Sequence, residues 1–139
     1  MSGSFTEKSV WVQLVVMLGG LGLYATAALR IYNNAVYDMG AYVPLMIGAV
    51  IGLVVLLAVA HALVAAIGGA EDRDERDRMI AWKAAYRSSW VGSLGAMVAV
   101  LCLVQGLEPV IATHVLIVSL GFSHVVDMGL RLVAYRMGA

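Results

Sequence analysis

A chain of 139 residues that is 62% hydrophobic and only 13% charged lacks the polar exterior that a water-soluble domain needs. Nine basic and nine acidic residues balance to zero net charge, so no overall field draws it to nucleic acid. The composition is that of an integral membrane protein, whose first partner is the lipid bilayer.

Met1 to Lys8 is polar with a single lysine, and the apolar stretch after it is full length with no small-residue cleavage site, which is not the pattern of a cleaved signal peptide. Four apolar spans follow, over residues 10–32, 42–68, 88–106 and 110–135. Each has at least about the 20 residues that a helix needs to cross a ~30 Å hydrocarbon layer. No strand-period alternation interrupts them, so a barrel is not supported. The expected fold is all-α: one transmembrane domain over residues 1–139, an integral membrane four-helix bundle. Short connections between the first and second spans and between the third and fourth predict two antiparallel helical hairpins.

Pro44 and Pro109 are expected at helix starts, where proline is tolerated. Gly68-Gly69 is expected to stop the second helix. Small residues recur at four-residue spacing in Gly48 and Gly52, in Ala58, Ala62 and Ala66, and in Ser89 with Ser93 and Gly92 with Ala96. Such rows let helix backbones approach closely. Trp82, Tyr86 and Trp90 are expected at one membrane boundary, and Tyr32, Tyr37 and Tyr42 at the other.

Residues 69–87 form a charged loop that runs into a helix extension, with acid and base four apart in Asp72 with Arg76 and Asp74 with Arg78. Arg73, Arg76, Arg78, Lys83 and Arg87 lie here, and Arg131 and Arg136 near the carboxyl end, while residues 33–41 and 105–109 contain no lysine or arginine. Retention of cations on the inner side predicts an inner-membrane protein with both termini and the central loop in the cytoplasm. Arg30 is the exception, expected to snorkel outward or to pair with Asp38 or Glu108. The run Asp74-Glu75-Arg76-Asp77-Arg78-Met79-Ile80, ahead of a transmembrane helix, resembles a loop in a group of small uncharacterised prokaryotic four-helix membrane proteins. That resemblance implies a similar topology and carries over no functional residues.

Chemistry inside the membrane has few candidates. His124, Asp127 and Arg131, at offsets of three and seven, share one face of the fourth span, and a buried Asp127 could pair with either neighbour. Ser9-Val10-Trp11-Val12 after Lys8, and Ser89-Trp90-Val91 two residues after Arg87, read as an internal duplication of one hairpin that would make His61 and His124 related positions. Two such imidazoles could be axial ligands of haem b. Alternatively, His61, His124, Asp127, Arg131 and Ser93 could line a proton or ion path in an oligomer, or His61, His124 and Asp127 could hold a metal. His114, nearer the outer edge, has no evident partner. The lone Cys102 reads as a small buried hydrophobe. The serines at 88, 89, 93, 119 and 123 are expected to bond a carbonyl one turn back or to cross a helix interface.

No phosphate loop, His-Glu-x-x-His pair or strained serine nucleophile is present, so no enzyme is expected. The favoured reading is a small accessory or regulatory membrane protein that acts through helix contacts and through the charged loop, residues Asp72, Arg73, Asp74, Glu75, Arg76, Asp77 and Arg78. Its partner would be another copy of the chain or another membrane protein.

Overall fold

Four helices make up the computed structural model, which describes residues 5–34, 36, 38–68 and 74–137. They are α1 (Phe5–Asn33), α2 (Met39–Gly68), α3 (Glu75–Val104) and α4 (Pro109–Met137). Helices of 29 or 30 residues make rods of about 44 Å at 1.5 Å per residue. All four are long and apolar enough to cross a membrane.

The helices run beyond the apolar spans because a solvated polar turn extends the backbone ladder as well as an apolar one does. α3 begins at Glu75, inside the charged segment, where Asp74 is extended and its carboxylate accepts from the Glu75 N–H at 2.6 Å. The Asp74 carbonyl then accepts from Arg78 N at 3.1 Å. α2 begins at Met39, which puts Pro44 inside the helix and not at its start. The bond that this proline cannot make would end on the carbonyl of Gly40, an exposed residue in the first turn. The glycine pair expected to stop α2 is only half described: α2 ends at Gly68, and Gly69 lies outside the described residues.

α3 and α4 are joined by a tight turn. Gly106, at φ 74°, takes the left-handed conformation that closes α3, with its N–H on Leu103 O at 3.0 Å and Leu107 N on Cys102 O at 3.0 Å. α4 starts three residues after Gly106 with Pro109 at its first position, as the sequence predicts, and Ile111 N bonds Glu108 O.

The helices pack in the order α2, α1, α4, α3, and the bundle is open between α2 and α3. The most extensive contact is α3 on α4. It uses a row of small α3 residues, Ala84, Ser88, Gly92, Gly95 and Ala99, all buried. Positions 88, 92 and 95 meet α4 in descending order: Ser123 donates to Ser88 O at 2.9 Å, Gly92 faces Leu120 and Ser123, and Gly95 faces Ser119. Between α1 and α4 the core is Val10, Met17, Met128 and Leu132, with Leu14, Leu53, Val125 and Tyr135 against it.

The other expected small-residue rows do not form interfaces. Nothing stands near Gly48 or Gly52, and Ala58, Ala62 and Ala66 are exposed, as are Ser89 and Ser93. Four-residue spacing recurs on several faces of one helix, and only the face that a neighbour occupies becomes a contact.

Candidate functional site

One end of the bundle collects the start of α1, the end of α2, the start of α3 and the end of α4. Thr6 Oγ1 donates to Asp77 Oδ2 at 2.8 Å, tying α1 to the charged start of α3. Gln13 Nε2 donates to Ser9 Oγ at 3.1 Å and lies 3.3 Å from His61 Nδ1, which also lies 3.2 Å from Ser9 Oγ. The Arg136 guanidinium sits 5.7 Å from the Trp11 ring centroid, a cation over an aromatic face. Around this end Glu75, Arg76, Arg78, Lys83 and Arg87 are exposed along α3. The run of mixed charge is thus helical from Glu75 onward, and its charges occur at fixed angular intervals. Asp72 and Arg73, counted with this surface in the sequence, lie outside the described residues. Trp82 and Tyr86 are exposed beside it and stack with ring centroids 6.1 Å apart.

Asp127 is 7% exposed, and Arg131 answers it with two bonds, Nε to Oδ1 at 3.1 Å and Nη2 to Oδ2 at 2.6 Å. This bidentate fork holds the carboxylate, and no hydrogen bond joins Asp127 to His124, which is exposed. His61 takes its hydrogen-bond neighbours from α1, and none joins it to His124. Among the described residues, no three of His, Cys, Asp and Glu gather where they could hold a metal ion. Ser93 donates to Ser89 O at 3.1 Å, while Ser88, Ser89 and Ser119 each bond a carbonyl three residues back. Arg30 is exposed, with no carboxylate partner among the described residues.

The opposite end brings together residues that the sequence places singly on three helices. Tyr24 of α1, Tyr42 of α2 and His114 of α4 meet beside a partly open, almost wholly apolar cavity of about 400 Å³. The Tyr24 and His114 rings are tilted with centroids 5.6 Å apart, and Tyr42 meets His114 edge-on at 4.9 Å. Tyr42 was expected at the membrane boundary. Among the described residues it is the most buried large side chain, at 1% exposure, and its hydroxyl donates to Val36 O at 2.9 Å. Tyr37, its expected companion, lies outside the described residues. The signal was weak because each residue stands alone in its own span, and only packing of three helices brings them together.

No protein-family model matches the chain, and no curated protein or solved structure matches it. Its function is therefore read from its own geometry.

Proposed function

We propose that the chain is a four-span inner-membrane protein built of two antiparallel hairpins, with both termini and the charged start of α3 in the cytoplasm, and that it acts through contacts as an accessory or regulatory subunit. The topology is supported by the Thr6–Asp77 bond, the His61 contacts with α1 and the Arg136–Trp11 pair, which bring alternate helix ends together. The descending order of the α3 and α4 contacts supports it as well. Lys8, Arg76, Arg78, Lys83, Arg87, Arg131 and Arg136 fall toward this one end, as retention of cations on the inner side requires. In the duplicated hairpin read from the sequence, Trp11 and Trp90 are both exposed, whereas Ser9 is buried and Ser89 is exposed.

The observation that carries the functional reading is the exposed, capped, mixed-charge helix from Glu75 to Arg87. A surface with both signs at fixed spacing selects a partner by register, which a purely basic flank does not do. The partner is another membrane protein or a second copy of this chain. A photo-cross-linking residue at Arg78 in native membranes should give one discrete protein adduct, and reversing the charge of Glu75 and Arg76 should cut its yield several-fold. The same probe at Val54, exposed on apolar α2, should give lipid adducts only. Absence of a protein adduct at position 78 would reject the reading.

A further inference from the structure

α3 changes character at Arg87. Before it the helix has charges of both signs from Glu75 onward, and after it no charged residue occurs up to Val104. Arg87 and Lys83, one turn apart, are exposed, and among the described residues neither makes an ion pair. Helix geometry brings the positions three and four residues away alongside each of them. Apart from each other, those are Met79, Ile80, Ala84, Tyr86, Trp90 and Val91, with no acid among them.

A groove of about 840 Å³ starts at these residues and follows α3 along its boundary with α4. Arg87, Tyr86 and Trp90 line it at one end, and Leu94 and Met97 line it roughly 15 Å further on, at 1.5 Å per residue. Val126 and Leu130 of α4 form its other wall. Ser89 and Ser93 also line it, but their hydroxyl protons go to the Tyr86 and Ser89 carbonyls. The donors left to the groove are the Arg87 guanidinium, the Trp90 indole N–H and the Tyr86 hydroxyl. Trp90 and Tyr86 are 60% and 74% exposed, so those donors face outward where a charged segment gives way to an apolar one, the usual level of interfacial aromatic rings.

The geometry points to a binding site for one anionic phospholipid, its phosphate on Arg87, its headgroup beside Lys83 and an acyl chain against Leu94, Met97, Val126 and Leu130. A guanidinium is a planar fork that meets phosphate through two parallel bonds. Charge decides the class of lipid. A zwitterionic headgroup would set its ammonium beside two cations, with no carboxylate in the groove to receive it, whereas an anionic headgroup keeps a net negative charge for both. A free phosphate would leave the apolar wall uncovered, and a symmetric second copy would bring like charges together. The inference rests on the reading that α3 crosses the bilayer. It fails separately from the contact function, because Glu75, Arg76 and Arg78 do not line the groove.

Native mass spectrometry of the full chain released from detergent micelles, with phosphatidylglycerol and phosphatidylcholine of unequal mass added at equal concentration, counts bound lipids directly. One phosphatidylglycerol per chain should bind about 20-fold tighter than phosphatidylcholine. Arg87→Gln and Lys83→Gln should each lower that preference about fivefold, and both side chains are exposed, so neither change disturbs the packing. Lys8→Gln removes an exposed cation of α1 at the same end but outside the groove, and should leave the preference unchanged. Ser93→Phe fills the groove with a ring and should weaken phosphatidylglycerol binding with both cations in place. Glycerol phosphate, the headgroup without its chains, should not compete. Equal binding of the two lipids, the same loss with Lys8→Gln as with Arg87→Gln, or full binding by Ser93→Phe would overturn the proposal. Displacement by glycerol phosphate, or dimers of the chain that exclude the lipid, would overturn it equally.

Discussion

A carboxylate at 7% exposure among apolar helices needs a cation within reach, and on α4 the one that reaches Asp127 is one turn ahead of it. The three-and-seven spacing of His124, Asp127 and Arg131 was legible in the sequence, because helix periodicity alone puts those residues on one face. Which neighbour holds the acid was not legible. Position i+4 gives the guanidinium a two-bond approach, whereas His124 is exposed and has no hydrogen bond to the carboxylate. Arg131→Gln leaves Asp127 without its charge partner and should lower stability by about 3 kcal/mol in a thermal melt of the purified protein. Asp127→Leu combined with Arg131→Leu should recover most of that loss, since removing both charges removes the need for compensation. A single variant as stable as the parent would mean that the pair is solvated and structurally idle.

For helices, contact is decided by which small-residue face a neighbour fills. On α3 the occupied face is Ala84, Ser88, Gly92, Gly95 and Ala99, and α4 supplies Ser119, Leu120 and Ser123 against it. Two glycines of this row should respond in opposite ways to a methyl group. At Gly95 a Cβ would overlap the Ser119 side chain at its root, where no rotamer change relieves it. At Gly92 the nearest atoms, Leu120 Cδ2 and Ser123 Cβ, are at 3.5 and 3.7 Å, ordinary contact distance. Gly95→Ala should therefore cost about 2 kcal/mol through overpacking. Gly92→Ala should be neutral or gain up to about 1 kcal/mol from helix propensity. Melting midpoints by circular dichroism of the two variants side by side check this; equal midpoints would mean that α3 and α4 slide apart at little cost.

Viewed as a whole molecule, the chain has two unlike ends. One is charged and cross-tied by Thr6–Asp77, His61–Ser9 and Arg136–Trp11, and the other is aromatic and contains the Tyr24–His114 cavity. With Cys102 changed to Ser, a cysteine at Glu108 should react with a membrane-impermeant maleimide on intact cells. A cysteine at Arg78 should react only after the cells are opened. The reverse pattern would invert the orientation, and reaction of both on intact cells would mean that the chain does not span the membrane in this way. Both residues are exposed, so access on each side is decided by the bilayer and not by packing.

Length and composition by themselves determined that four helices form and that all are fit to cross a membrane, because apolar runs of such length have few other ways to satisfy their backbone in lipid. Local chemistry determined the turn between α3 and α4, since glycine at a positive φ and proline at a first helical position act within a few residues. Tertiary structure alone decided the order α2, α1, α4, α3 and the choice of one small-residue row among several. It also decided the meeting of Tyr24, Tyr42 and His114 around a cavity. The reason is that a uniformly apolar helix such as α2 has no face that its sequence marks as inward. In a chain this rich in hydrocarbon, which side chains meet is settled by the shapes of the neighbouring helices and not by polarity.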